Sequence, residues 1–259
     1  EDEAVVKELM DRVAAHVPHI PMDQTSPEVA RGVYAAVREV TGVCDPFAAH
    51  KEESIRKSLA LYGELKEAVK EAEDSLWAAV RVAIAGNVID LGANPDFDLE
   101  AEMGAIRKGQ LAVDHYASFQ QHAEAARTVL YLGDNAGETV FDRLLIEVLA
   151  RDTVYAVRDI PIINDATVED AEKSGLGDVA RIISSGCDAP GTILSRCSEA
   201  FLEVFEAADI IVSKGQGNFE SLSGVDAPVF FLLKTKCPVI AGHLGTRSGD
   251  TILKDARGG

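Results

Sequence analysis

An aspartate and an asparagine stand side by side where an apolar run of the sequence gives way to a helical pattern. The segment from Tyr131 to Leu145 reads YLGDNAGETVFDRLL and contains Asp134 and Asn135. A second segment, IPIINDATVED, carries Asp165 just ahead of another helical pattern. Oxygen donors without histidine or cysteine suit a hard cation such as Mg²⁺ or Mn²⁺. Asp134, Asn135 and Asp165 are therefore candidate metal ligands.

The same three residues also fit a purely structural role. Asp and Asn commonly cap a helix by accepting hydrogen bonds from its first backbone N–H groups. The Asp134–Asn135 pair could cap one helix and Asp165 the next. Spacing alone leaves the metal and the capping interpretations open.

Lysines and an amide follow two other apolar runs. In ADIIVSKGQGNFE the apolar run ends at Lys214 and the segment continues to Asn218, while PVFFLLKT leads to Lys236. Lysine side chains and the N–H groups at a helix start bind phosphate. These residues are candidates for a phosphate site beside the metal, with a solvated turn at Lys214 as the alternative.

All these residues share one edge only if the second half of the chain forms a parallel sheet. From Arg127 onward, β-rich runs alternate with helical stretches, and the runs are TVLYLGD, TVYAVRD, VARIISSG, ADIIVSKG, PVFFLLKT and PVIAGHLG. Such alternation predicts a mostly parallel sheet covered on both faces by helices, with ligands at the carboxyl ends of the strands. The last two runs are close in sequence, so we expect one antiparallel edge there.

The first half is predicted to be helical throughout. SPEVARGVYAAVREV starts with Ser26 as the expected N-cap, and residues 50–86 predict one long helix or two. DFDLEAEMGAIRKG and HYASFQQHAEAA predict shorter helices. We expect an α/β fold, namely a three-layer α/β/α sandwich with a mostly parallel sheet, preceded by an all-helical N-terminal subdomain. The predicted domains are a helical subdomain at 1–126 and a Rossmann-like domain at 127–259 that carries the metal site.

Composition narrows the classes of function. The 259 residues carry a net charge of −18, which argues against nucleic acid as the partner but still admits a small anionic substrate beside a metal and local lysines. The four cysteines, Cys44, Cys187, Cys197 and Cys237, are widely spaced, as is typical of buried thiols in a reducing compartment. No apolar run approaches the ~20 residues needed to cross a bilayer, and no signal peptide is visible. We expect a cytoplasmic protein without a membrane partner, and its oligomeric state stays open.

Four segments together resemble the damage-control phosphatase family, in its archaeal and bacterial branch. They are GDNAGETVFDRLLIE, PIINDATVEDA, ADIIVSKGQGNFESL and IAGNVIDLGA. This ARMT-like family is also known as domain of unknown function eighty-nine, and the resemblance extends from the N-terminal helices to about Thr251. It implies a helical portion on a three-layer sandwich and a metal-dependent phosphatase. The implied substrates are small phosphorylated metabolites, such as sugar phosphates or damaged phospho-metabolites.

The resemblance also implies roles for individual residues. Asp134, Asn135 and Asp165 would bind a divalent metal such as Mg, Mn, Co or Ni. Relatives in this branch begin with a C-x-x-C segment that the sequence does not show, so we expect such a segment to precede Glu1. The implied substrate-binding residues are Asn87, Asp90, Lys214, Asn218 and Lys236.

We expect a water molecule to attack the phosphoryl group, with Lys214 stabilising the developing charge. Asp134 is expected to act as a metal ligand rather than a phospho-acceptor, because a carboxylate bound to a cation is a poor nucleophile. Glu138 is a candidate base, with a solvated glutamate in the first helical turn as the alternative.

Two other functions stay open from the sequence. One is an S-adenosylmethionine-dependent carboxyl methyltransferase, which the lack of an evident G-x-G loop after the first strand disfavours. The other is a non-catalytic protein that binds metal or metabolite. Phosphate release in the presence of a divalent metal would separate both from the phosphatase.

Overall fold

The computed structural model describes residues 2–86 and 110–258, and the statements that follow concern those residues. Helices account for most of the first part of the chain and alternate with strands in the second part. Their bounds are α1 Glu3–His16, α2 Ser26–Thr41, α3 Ala48–Lys70, α4 Ser75–Gly86, α5 Tyr116–Ala125, α6 Thr139–Leu149, α7 Val168–Lys173, α8 Glu199–Ala207, α9 Gln216–Leu222 and α10 Pro238–Leu244.

The strands form one mixed sheet that is mostly parallel, as predicted. They are β1 Val113–Asp114, β2 Thr128–Leu132, β3 Asp152–Val157, β4 Arg181–Ser184, β5 Ile210–Lys214, β6 Val229–Lys234 and β7 Thr251–Asp255. Their order across the sheet is β1-β7-β6-β5-β2-β3-β4, and β6 with β7 is the antiparallel pair. The chain runs from β2 to β3 and β4, then places β5 on the other side of β2. This reversal of direction opens a crevice at the carboxyl ends of β2 and β5.

Helices cover both faces of the sheet, which confirms the three-layer sandwich. Successive residues of a strand point to opposite faces, so Val129 and Tyr131 pack against α3, α4, α5 and α6. Leu130 and Leu132 pack on the other face, against α8, α9 and α10. The strands are apolar toward both layers, as a sheet buried on two sides requires.

The helical first part packs on this sandwich and also contributes a strand to it. Residues 50–86 contain two helices, α3 apart from its first two residues and the whole of α4, because α3 stops at Lys70 and α4 starts at Ser75. Buried residues of α3 and α4 belong to the same apolar cluster as β2 and β3. The short strand β1 lies in the segment expected to be helical only and pairs with β7. The division into domains at residue 126 stays a prediction.

Two local predictions were wrong. PVIAGHLG forms the helix α10 instead of a strand, because Pro238 occupies the first helical turn, where its missing N–H is tolerated, and Val239 is 77% exposed. The antiparallel partner of β6 is instead β7, which lies next to the edge strand β1. Thr25, not Ser26, is the N-cap of α2, where it forms a capping box with Glu28.

Several other predictions can be placed. HYASFQQHAEAA forms α5 as expected, whereas Asn87, Asp90 and the whole segment DFDLEAEMGAIRKG lie outside the described residues. The four cysteines carry free thiols, but only Cys187 is buried and Cys44 is exposed. Within the described parts of the chain, no helix combines the length and apolar character needed to cross a bilayer.

Candidate metal and phosphate site

The loops that follow β2 and β3 are joined to each other by backbone hydrogen bonds. Ala136 N donates to Asn164 O over 2.8 Å, and Ala166 N donates to Asp134 O over 2.8 Å. This pairing forms an isolated antiparallel bridge between Asn135 and Asp165. The three predicted metal ligands are thereby brought together at the carboxyl edge of the sheet.

The backbone just before Asp165 is strained. Ile163 has φ of 47°, a conformation that is rare for a β-branched residue. Strain of this kind costs on the order of 1–3 kcal/mol and persists where the surrounding structure enforces it, commonly at functional sites. Here it turns the chain so that Asn164 and Asp165 can pair with the loop after β2.

Capping is not the role of these side chains. The N-cap of α7 is Thr167, which forms a capping box with Asp170, so Asp165 is not the cap. Asn135 precedes a short 3-10 turn at Ala136–Glu138 without making a side-chain capping bond. Helix capping, the alternative role suggested by the sequence, therefore does not account for Asn135 and Asp165.

Arg158 is a component of the site that the sequence interpretation missed. It follows β3 directly, and its Nε donates to Asp165 Oδ2 over 2.7 Å. Its Nη2 lies 3.9 Å from Asp134 Oδ1, and only 2% of the residue is exposed. The strand-end rule that selected Asp134 and Lys214 applies equally to Arg158, because TVYAVRD ends its apolar run there.

Gly215 allows the chain after β5 to approach the carboxylate of Asp134. A Cβ atom at Gly215 would lie 2.0 Å from Asp134 Oδ2, and the residue has φ of +78°. Both features require glycine. The crevice between β2 and β5 is thus narrow at the position of Asp134.

Beneath the predicted ligands, Lys214 is enclosed in a set of hydrogen-bonded side chains that we call the buried network (Tyr131, Glu138, Asp142, Tyr155 and Lys214). Lys214 Nζ donates to Glu138 Oε2 over 2.8 Å and to Asp142 Oδ1 over 2.6 Å. The hydroxyls of Tyr131 and Tyr155 donate to the two oxygens of Asp142. All five residues are at most 2% exposed. The alternative of a solvated Glu138 was therefore wrong.

Glu138 links the buried network to a predicted metal ligand. Its Oε1 accepts a hydrogen bond of 2.6 Å from Asn135 Nδ2. With the amide nitrogen engaged in this way, the Asn135 oxygen is the end of the side chain suited to a cation.

The other predicted phosphate residues differ in exposure. Asn218 is fully buried, donates to Gly133 O and Lys214 O, and accepts from Thr192 and Arg158. Lys236 is exposed, and its charge acts on Asp134 and Asp165. Lys236 is accordingly the lysine with access to a ligand in solvent.

The electrostatics of the site favour an added cation. Burial, together with Glu138 and Asp165 nearby, raises the pKa of Asp134 from 3.8 to about 7. Burial also raises the pKa of Asp165, against the opposing charge of Arg158. Both shifts have the same causes, namely burial of the carboxylate and the charge of neighbouring carboxylates. A divalent cation would relieve both effects.

Counting formal charges leads to the same conclusion. Four buried carboxylates, those of Asp134, Glu138, Asp142 and Asp165, face two buried cations, Arg158 and Lys214. The excess of two negative charges equals the charge of one divalent ion. Two carboxylates and an amide would provide an oxygen-only partial shell. Among the described residues, no three or more His, Cys, Asp or Glu side chains form a group that could hold a metal by themselves, so solvent or substrate would supply the remaining ligands.

A cavity of about 500 Å³ lies at the carboxyl ends of β3 and β4, where Asp159 and Gly186 line it. Its polar lining includes Arg31 from α2, whose Nε donates to Asp188 Oδ1 over 2.6 Å. Arg196 also lines the cavity. The helical first part thus contributes a wall to this end of the sheet.

Comparison with known proteins agrees with this fold. Residues 1–252 match the model of the family described as damage-control phosphatase ARMT1-like domain. A protein of Pyrococcus horikoshii named damage-control phosphatase is 38% identical over 224 residues, covering 84% of this chain and 77% of the relative. One of the same name from Archaeoglobus fulgidus is 34% identical, covering 87% and 81%.

The likeness extends to a solved structure. The crystal structure of a DUF89 family protein from Pyrococcus horikoshii superposes with a TM-score of 0.90 at 31% identity, covering 99% of this chain and 92% of that one. The chain therefore belongs to the damage-control phosphatase ARMT1-like family. Its class of function is that of a phosphatase, and the resemblance seen in the sequence is confirmed.

Proposed function

We propose that this protein is a metal-dependent phosphoric monoester hydrolase that acts on small phosphorylated metabolites, such as sugar phosphates or damaged phospho-metabolites. The observation that carries the proposal is the pairing of the two loops that bear Asp134, Asn135 and Asp165. It gathers oxygen donors in a crevice with an excess of two negative charges, beside an exposed lysine. Relatives named damage-control phosphatase support the reaction class.

The residues would share the work as follows. Asp134, Asn135 and Asp165 would hold the divalent ion, which when bound supplies a Lewis acid for the phosphoryl oxygen. Lys236, at the mouth of the crevice, would bind the substrate phosphate and offset its charge. Arg158 would keep the Asp165 carboxylate oriented through its 2.7 Å bond.

Glu138 and Lys214 act together in this proposal. Glu138 is a candidate acceptor for the proton of the attacking water. Lys214 Nζ donates a hydrogen bond to Glu138 Oε2. Asn218 would fix the turn after β5 through its bonds to Gly133 O and Lys214 O. The substrate-binding roles predicted for Asn87 and Asp90 concern residues outside the described ranges and stay predictions.

The polar cavity lined by Asp159 would receive the part of the substrate beyond the phosphate. Its lining of two arginines and two aspartates offers donors and acceptors together, and its volume is in the usual range of ~300–1,000 Å³ for small-molecule sites. A cytoplasmic location and a small-molecule partner, without nucleic acid, complete the proposal.

The test is phosphate release from a panel of sugar phosphates with Mg²⁺, Mn²⁺, Co²⁺ or Ni²⁺. We expect release with at least one metal and its loss in excess chelator. Asp134→Ala should abolish release while the far-ultraviolet circular dichroism spectrum stays unchanged. Full activity of the metal-stripped protein would contradict the metal assignment. Methyl transfer from S-adenosylmethionine, or ligand binding without turnover, would support one of the alternative functions instead.

A further inference from the structure

The strands place three polar side chains on one face of the sheet, under the metal site. Tyr131 of β2 pairs in register with Tyr155 of β3 and with Val212 of β5. Because side chains alternate along a strand, Lys214, two residues beyond Val212, lies on the same face as both tyrosines. This face carries α6, which presents Asp142 to all three.

Asp142 accepts three hydrogen bonds in a fully buried position. Tyr131 donates over 2.8 Å and Lys214 over 2.6 Å to Oδ1, and Tyr155 donates over 2.7 Å to Oδ2. The tyrosine rings stack with centroids 5.2 Å apart, so the two hydroxyls are held side by side. The carboxylate therefore has a fixed position, and through it so does the lysine.

The chain of contacts continues from the lysine to the metal site. Lys214 Nζ donates to Glu138 Oε2, and Glu138 Oε1 accepts from Asn135 Nδ2. Burial would lower the pKa of Lys214, but Asp142 and Glu138 together raise it, so the lysine remains charged. Because Nζ donates to two carboxylates and Lys214 has no exposed surface, the lysine has no contact with solvent.

We propose that Lys214 is a positioning residue: held by Asp142 and the two tyrosines, it sets Glu138, which orients the Asn135 amide so that its oxygen faces the divalent cation. This inference rests on the proposed function, and it changes the role expected for Lys214 from a direct contact with phosphate to an indirect control of metal binding. Outer-shell partners of this kind typically change metal affinity or activity about 10–100-fold.

The tyrosines provide the sharpest test. They are remote from solvent, and their replacement by phenylalanine removes the hydroxyl but keeps the ring. In Tyr131→Phe and Tyr155→Phe, Asp142 loses a donor and draws Lys214 away from Glu138. We expect isothermal titration calorimetry with Mn²⁺ alone to give a Kd raised about tenfold in each variant. The Mn²⁺ concentration for half-maximal phosphate release should rise in parallel, with kcat restored at saturating Mn²⁺.

Tyr62→Phe is the matched control. Tyr62 also donates its hydroxyl to a carboxylate of α6, that of Glu147, on the side of the helix that contacts α3. It should lower the melting temperature by less than the other variants, because Tyr62 is only partly buried, while leaving the Kd for Mn²⁺ unchanged. It therefore shows whether loss of a tyrosine–carboxylate bond on α6 is by itself enough to change the Kd.

The outcomes separate the inference from the function on which it rests. Unchanged Mn²⁺ affinity in folded Tyr131→Phe and Tyr155→Phe would overturn the positioning role and leave the proposed function standing. Failure of the unaltered protein to bind any of Mg²⁺, Mn²⁺, Co²⁺ and Ni²⁺ would overturn both. An increase of Kd in the two network variants, absent from Tyr62→Phe, would establish the positioning role.

Discussion

Two groups of buried charges in this protein each combine one basic side chain with two aspartates, but they have different roles. In the Lys51 cluster (Lys51, Asp45 and Asp170), the lysine Nζ lies 2.7 Å from each carboxylate. At the predicted metal site, Arg158 lies between the carboxylates of Asp165 and Asp134, at 2.7 and 3.9 Å. Both arrangements set one cation between two carboxylates, one in the helical layer and the other at the edge of the sheet.

The two groups differ in what else the carboxylates bind. In the Lys51 cluster, Asp170 also accepts from the backbone N–H and hydroxyl of Thr167, and Asp45 accepts from Phe47 N. Helix capping and a turn therefore compensate the cluster without any added ion. At the metal site the pKa of Asp134 is raised to about 7 because burial and neighbouring carboxylates oppose its charge. A compensated group stabilises the fold, whereas an uncompensated one is suited to bind a cation.

Asp134→Asn should have the largest effect, because it removes a charged ligand while keeping the shape of the side chain. Loss of a ligand that helps to hold the Lewis acid forfeits several kcal/mol of transition-state stabilisation, which corresponds to about a thousandfold in kcat/KM. Steady-state kinetics of phosphate release measure it. Asp170→Asn, in the Lys51 cluster, is the control and should leave kcat/KM of the folded protein unchanged. Comparable losses in both variants would remove the distinction between the two groups.

Lys51→Met should affect stability and not chemistry. Removal of one partner from a buried ion pair leaves the remaining charge uncompensated and costs about 3 kcal/mol. Urea unfolding would show the loss as a lower midpoint at a similar slope. We expect the Mn²⁺ affinity of the folded variant to match that of the unaltered protein, and a large change in affinity would count against a purely structural Lys51 cluster.

The pH dependence of stability should reveal Asp134 in the metal-stripped protein. A carboxyl group whose pKa is raised on folding keeps its proton longer in the folded state, so its contribution is present at low pH and is lost as pH rises from about 4 to about 7. Between about pH 5.5 and 7.5 we expect a loss of about 2 kcal/mol. Thermal unfolding with chelator measures it. Saturating Mn²⁺, or Asp134→Asn, should flatten the slope, and an equal slope in all three samples would exclude Asp134 as its source.

Gly215→Ala should give the smallest free-energy change of the four predictions, about 1.4 kcal/mol in metal binding. The added Cβ would meet the Asp134 carboxylate at 2.0 Å, in a backbone conformation that disfavours alanine. A displaced carboxylate should raise the Kd for Mn²⁺ about tenfold, as outer-shell changes do, and calorimetry would detect it. Gly224→Ala, where a Cβ meets nothing within 4 Å, should bind Mn²⁺ normally.

The fold could be predicted because its signals are local. Strand–helix alternation gave the sandwich, and the strand-end rule led to Asp134, Asn135, Asp165 and Lys214, which the structure brings close to one another. The same rule should have included Arg158. The strand prediction for PVIAGHLG was wrong because its apolar residues resemble those of a strand. Pro238 in the first turn and the exposed Val239 fit a helix better.

The arrangement within the site could not be predicted, because it depends on contacts between distant parts of the chain. Glu138 looks like a surface residue of a first helical turn until Lys214, 76 positions away, is placed against it. The tyrosines read as ordinary strand residues, and Asp142 as the polar side of an amphipathic helix. Only the strand register, which a single sequence does not specify, brings them together.

The bridge between Asn135 and Asp165 has a consequence for transplanting this centre into another protein. The two backbone hydrogen bonds that flank it hold the loops together. The spacing of the metal-ligand residues is therefore set by main-chain geometry and not by the choice of side-chain rotamers. An engineer who grafted either loop alone would lose that spacing, and a one-residue insertion in either loop would shift its donor relative to the other. A graft would therefore have to include both hydrogen-bonded loops, together with the bend at Ile163.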